Sequence, residues 1–202
     1  RILQQLESEG VLDDTIVMFF ADHGRAMPWG KQWLSVEGLH VPLFMRGPGI
    51  GKHSVESRLV SLIDLAPSML ALAGQSVPAW MDGRDVLGAA FPERDCLFAA
   101  RDRCGDAMDR IRAVITRDAW LVRNFQPQFS RLNWSSYKEE QYPGMPLLRV
   151  LKAENKLDTF QASWLAPTRP EIEFFDLKTD PQGLHNIAAD PAQKSSIESL
   201  QS

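Results

Sequence analysis

The chain has 202 residues, with 22 Lys and Arg against 26 Asp and Glu and a formal net charge of −4. That balance excludes the basic footprint of a general nucleic-acid binder. With 44% apolar and 24% charged residues it reads as an ordinary globular protein rather than a disordered one, and no apolar run approaches the roughly 18 residues a membrane span needs.

Two cysteines, Cys96 and Cys104, have no metal-knuckle spacing and read as separate thiols. The length fits one or two domains. Ile2, Leu3 and Leu6 stand at helical spacing from the first residues, so residues 1–9 read as a helix that has been cut into, and the chain as a piece of something longer. The compartment stays open. Gly10 closes this helix, and Asp13-Asp14 turn into the apolar run from Thr15 to Phe20.

That run predicts a fully buried strand. Asp22, His23 and Gly24 stand at its C-terminal end, where open α/β sheets collect ligands. Two readings stand side by side: Asp22 and His23 are metal ligands, or Asp22 caps a turn and His23 lies on the surface. The stretch from Asp22 to Glu37 holds Gly24, Pro28 and Gly30, too much punctuation for a long helix. Val41 to Arg46 predicts a second short buried strand, with Pro42 near its start and Gly47-Pro48-Gly49 at its end.

Residues 60–73 carry the strongest helical signal. Asp64 can cap it, Pro67 fits the first turn, Gly74 closes it, and Leu65, Met69, Leu72 and Ala73 share a face. Residues 78–88 are irregular. The texture changes near residue 92, which predicts an α/β portion over 1–92 and an α+β subdomain over 93–202. In the second part, 97–100 reads as a strand, 111–115 and 119–125 as a hairpin, and 126–146 as a long ordered surface excursion. Helices are predicted over 147–155 and 159–165, then a strand over 171–177 and a turn at Asp180-Pro181.

Four blocks in order resemble a known family. Asp13 to Val17 through Ala21-Asp22-His23-Gly24, with Lys31 beyond, resemble the C-terminal half of a sulfatase. Glu37-Gly38-Leu39-His40-Val41-Pro42-Leu43 with Arg46-Gly47-Pro48-Gly49 continues the likeness. Ser61 to Ser68 is similar to the family's next helix, and Phe174 to Pro181 with His185-Asn186-Ile187 to its closing segment. Ala26 to Lys31 and Ala99 to Cys104 look most like the heparan N-sulfatase branch.

The resemblance implies an alkaline-phosphatase-like α/β sandwich followed by a small C-terminal α+β subdomain around a short antiparallel sheet. It implies hydrolysis of sulfate esters or sulfamates of sulfated carbohydrate, with N-sulfoglucosamine the leading substrate, and a compartment reached by periplasmic, extracellular or lysosomal-type export. It implies a divalent metal, Ca²⁺ or alternatively Mg²⁺, and a formylglycine nucleophile made from an upstream "C/S-x-P-S/T-R" motif that neither cysteine here matches. The chain alone is therefore expected to be inactive.

By the same resemblance Asp22 is a metal ligand, and His23 stands on the metal or beside the nucleophile. A neutral imidazole suits Ca²⁺ less than an oxygen does. Lys31 carries over as the cation on a sulfate oxygen, a contact of about 4 kcal/mol at roughly 4 Å and an effective dielectric of about 20, before desolvation. Without the flanking motif it would read as a solvated loop lysine. Arg101 and Arg103, around Asp102, either line a pocket for an acidic sugar or form a charged turn. Trp29 and Trp33 either stack on a sugar or pack internally. His40 replaces an arginine common in the family and reads as a partly buried structural residue. The alternatives are a phosphonate or phosphate monoester hydrolase of the same superfamily, and a non-catalytic sugar-binding relative.

Overall fold

A computed structural model describes residues 1–88 and 93–202; the break expected at residue 92 lies outside the described residues. In chain order the first elements are α1 (Ile2–Ser8), β1 (Val17–Phe20), α2 (Val36–Leu39), β2 (Leu43–Arg46) and α3 (Leu65–Leu72). Then come β3 (Leu97–Cys104), β4 (Ala107–Ile115), β5 (Ala119–Asn124), α4 (Ser136–Gln141) and α5 (Gly144–Ala153). The last are α6 (Thr159–Trp164), β6 (Ile172–Asp176) and α7 (Lys194–Gln201). Two compact units result. The first joins Arg1–Asp22 with Val41–Arg94, and the second joins His23–His40 with Asp95–Ser202.

In the first unit β1 and β2 pair antiparallel, with Phe19 opposite Phe44. The expectation of fully buried strands fails here. Phe19 and Phe44 are each 65% exposed, because they share the side of a two-stranded ribbon that no described residue of this unit covers. Their rings contact each other at 6.1 Å instead. The helix expected over 60–73 forms in two pieces, a 3₁₀ turn over Leu62–Asp64 leading into α3.

Asp64 explains the join. Its carboxylate is fully buried and accepts from the Ser61 and Arg84 amides at 2.8 Å each, and from both terminal nitrogens of Arg94 at 2.5 Å. Burial acts to raise its pKa, but Arg94 and the two amides outweigh this and hold it below the ordinary carboxylate range. Gly74, at φ +68°, ends the helix as its sequence position predicts.

The second unit is built on a four-stranded antiparallel sheet in the order β3-β4-β5-β6. Along β4 the residues alternate strictly, Ala107, Asp109, Ile111, Ala113 and Ile115 turning inward. Of these, Ile111, Ala113 and Ile115 meet Trp120, Val122, Leu132, Tyr142, Met145, Leu148, Trp164 and Leu165 in one core, which also takes in Trp33 and Leu34. Residues 126–146 therefore depart from the predicted surface excursion. They contain α4 and bury Leu132, Lys138, Tyr142 and Met145. Asp109, charged and facing inward, is matched by a two-pronged pairing with Arg169, both side chains fully buried.

Candidate functional site

Asp22 closes the first unit's opening segment two residues beyond β1, and it is exposed. The Ala21 amide, just before it, still donates to the Pro42 carbonyl at 3.3 Å, so the β1–β2 pairing is prolonged to the foot of Asp22.

His23 opens the other unit's first segment, and beyond it the chain forms a loop drawn shut by glycine. The Gly24 amide donates to the Gly38 carbonyl at 3.0 Å. A Cβ on Gly24 would fall 1.9 Å from the Glu37 carbonyl oxygen, so only glycine can succeed Asp-His here without opening the loop. Across its mouth Arg25 pairs with Glu37 at 2.5 Å. Inside the loop the Lys31 amide donates to the Arg25 carbonyl at 2.9 Å, and Ser35 caps α2 by accepting from the Gly38 amide at 3.1 Å. The His23 Nδ1 lies 2.9 Å from the Gly24 carbonyl. A carbonyl only accepts, so Nδ1 is the donor in this contact.

Lys31 is half-buried and its ammonium is placed by a residue from far along the chain. Nζ stands 3.3 Å from the Tyr137 hydroxyl and 5.2 Å from the centre of its ring. The next residue, Lys138, is buried at 3% exposure and donates to the Pro28 carbonyl at 2.7 Å. Its ammonium lies over the rings of Trp33 and Tyr142, at 5.4 and 5.6 Å. Burial, reinforced by nearby Arg101, lowers the Lys138 pKa to about 7. Burial and neighbouring Tyr137 push the Tyr142 hydroxyl up to about 12.

Arg101 is the inward residue of β3, buried with its guanidinium 4.1 Å from the Trp33 ring and 3.5 Å from Asp109. Burial lowers its pKa and Asp109 opposes the shift. A bulge between Arg101 and Arg103 breaks the register of β3, so Arg103 turns outward and donates to the Gly105 carbonyl at 2.7 Å. Arg101 and Arg103 therefore have different surroundings, and neither sits in a turn after a strand: both are within β3. Asp102 pairs across the sheet with Arg112 at 2.9 Å. Trp29 and Trp33 pack internally, edge-on to Phe160 and Trp164. His40 is exposed rather than partly buried.

Sequence reasoning missed Tyr137, Lys138 and Tyr142. They lie in a polar, aromatic-rich stretch whose one usable signal is the spacing Tyr142, Met145, Leu148, an apolar stripe at helical period.

Residues 1–75 match the family model described as Sulfatase. The chain is 35% identical over 98% of its length to the ulvan-active sulfatase of Formosa agariphila, and 29% identical over 94% to arylsulfatase K of Bos taurus. It covers 34% and 30% of those proteins, so it spans about a third of the length of the curated relatives it matches. Among solved structures, a putative sulfatase from Bacteroides thetaiotaomicron superposes with a TM-score of 0.70 at 20% identity, over 99% of this chain and 37% of that one. A protein solved with its substrate D-glucosamine-2-N,6-O-disulfate superposes at 0.64 with 21% identity, over 100% of this chain and 35% of that one. The phosphonate monoester hydrolase of Agrobacterium radiobacter does so at 0.60 with 21% identity, over 98% and 36%.

The fold is thus that of the alkaline-phosphatase-like hydrolases. Residues 1–75 carry the Sulfatase model, and the chain resembles curated sulfatases along its length.

Proposed function

We propose that the protein to which this chain belongs hydrolyses sulfate esters or sulfamates of a sulfated carbohydrate, with N-sulfated glucosamine the first substrate to test. The observation that carries the reading is the closed loop after Asp22-His23-Gly24, which holds the Lys31 ammonium against Tyr137. A fixed cation is what an –SO₃ group needs as its charge redistributes between sulfur and the leaving atom.

The sulfatase reading also calls for a divalent ion. Asp22 brings one hard carboxylate oxygen, the donor type that Ca²⁺ and Mg²⁺ prefer. Among the described residues no group of three or more His, Cys, Asp and Glu could hold a metal ion, so Asp22 would contribute part of a shell of about six to eight oxygens and the rest would come from outside them. When bound, the ion and an upstream formylglycine would supply charge stabilisation and the nucleophile. Lys31 would bind a sulfate oxygen. His23, its ring tied through Nδ1 to the Gly24 carbonyl, would stand on the metal or beside the nucleophile. For Arg101, buried against Trp33 and near Asp109, a structural role in the core is the better account.

The decisive assay is sulfate release by the intact protein from N-sulfated and 6-O-sulfated glucosamine, beside an aryl phosphonate ester. Sulfate release from either sugar supports the reading. Turnover of the phosphonate alone would favour the phosphonate hydrolase alternative that the shared fold allows, and no turnover with sugar binding retained would favour a non-catalytic relative.

A further inference from the structure

Two neighbouring residues of α4 hold the loop that carries Lys31, and they do so by different means. Tyr137 offers the lysine ammonium its hydroxyl at 3.3 Å, with the ring centre 5.2 Å away behind that oxygen. Lys138 reaches past it to the Pro28 carbonyl, three residues before Lys31, at 2.7 Å. The platform is itself fixed. The Tyr137 ring packs edge-on against Tyr142 at 5.6 Å, and Tyr142 is 4% exposed in the core.

We propose that Tyr137 is a positioning residue for Lys31, setting where its ammonium stands when it takes an oxygen of the –SO₃ group, while Lys138 anchors the loop beneath. This rests on the sulfate role proposed above for Lys31.

The chemistry favours a tyrosine at this place. Lysine carries a point charge on a flexible four-carbon stem, so an ammonium with no partner spreads over many positions. A carboxylate would fix it but would cancel the charge the anion is to meet. A neutral hydroxyl holds the cation and leaves its charge in place. The hydroxyl also occupies one of three N–H donors, which leaves two for sulfate oxygens.

The test is a double-mutant cycle in the intact enzyme, with an aryl sulfate as substrate and inorganic sulfate as inhibitor. Tyr137→Phe keeps the ring and the packing on Tyr142 but removes the hydroxyl. KM and the inhibition constant of inorganic sulfate are expected to rise together by ~10-fold or more, about the worth of one hydrogen bond to a charged group, with a smaller change in kcat. Tyr137→Ala, which also removes the ring that carries the hydroxyl, should raise both at least as far. In a Lys31→Ala background Tyr137→Phe should change neither constant, a silence that a merely structural role would not give. If Lys31→Ala impairs both constants and Tyr137→Phe then has its full effect in either background, or none in either, the positioning role is overturned and the role of Lys31 stands. If Lys31→Ala leaves both untouched, the sulfate role of Lys31 fails, and the positioning role with it.

Discussion

Lys138 donates to the Pro28 carbonyl at 2.7 Å across 110 residues of sequence, from a side chain only 3% exposed. No carboxylate answers it in that contact; a neutral carbonyl and two aromatic faces do. A buried ammonium held this way costs the fold stability, and the cost depends on pH.

Proton counting gives the sign. The folded pKa is lowered to about 7, against about 10.4 in an unfolded chain. Below pH 7 both states carry the proton and the fold bears the full cost of the buried charge. Between about 7 and 10 the unfolded state binds more protons, so stability rises with pH. Tyr142, pushed up to about 12, reverses the trend only above about 10. Wild type is therefore expected to gain on Lys138→Met as pH is raised from 7 to 9.5, in thermal unfolding at matched ionic strength. A pH-independent difference between the two would refute the burial argument.

The same residue marks where sequence reading stops. Strand and helix ends were legible wherever glycine, proline or a capping acid punctuated the chain: Gly10, Gly47-Pro48-Gly49, Asp64, Gly74. The likeness of four blocks to the sulfatases was legible too, and in the first of them the glycine after Asp-His is demanded by a backbone contact. Long-range pairings of charge were not. Asp109 hid the inward alternation of β4, since an acid at a core position reads as a turn until its partner Arg169 is known, 60 residues away. Likewise the charged run Arg101-Asp102-Arg103 looked like the end of a strand, whereas the Asp102–Arg112 pair lets β3 continue to Cys104. Phe19 and Phe44 misled in the other direction, their apolar character predicting a burial that this unit does not provide.

Asp64 is the residue of the first unit with most to lose. Asp64→Asn removes the charge that Arg94 answers and leaves one oxygen to do the work of two. Breaking such a buried pair costs ~3–5 kcal/mol, and urea unfolding should show a loss of that order. Its folded pKa is depressed, so its contribution is present above the unfolded value of about 3.9 and disappears as pH falls through the lower folded value. The gap between wild type and variant should accordingly close only in strong acid. A gap that closes already near pH 4 would mean that Arg94 does not hold the carboxylate.

Asp109→Asn should be as damaging in the second unit, because it leaves Arg169 buried and Arg101, 3.5 Å away, without its carboxylate. A loss of ~3–5 kcal/mol is expected. Replacing the pair together, Asp109→Leu with Arg169→Met, should recover part of it by removing one of the stranded charges. Strictly additive losses in the double variant would show that the two do not act as a pair.

For the intact enzyme, the role proposed for Asp22 makes metal content and rate fall together. Asp22→Ala removes a negatively charged oxygen, and its effect should exceed the ~10–100-fold in metal affinity or activity that loss of an outer supporting residue costs. Asp22→Asn keeps an oxygen donor without the charge, so it should bind more weakly than wild type and regain rate when Ca²⁺ is raised. His23→Ala separates the two places open to the imidazole. If His23 stands beside the nucleophile, rate falls while metal content by elemental analysis stays at the wild-type level; if it is a ligand, both fall and added Ca²⁺ restores them in part. Wild-type metal content and rate in Asp22→Ala would remove the acid from the metal site, leaving Lys31 as the remaining support for an oxyanion site in this chain.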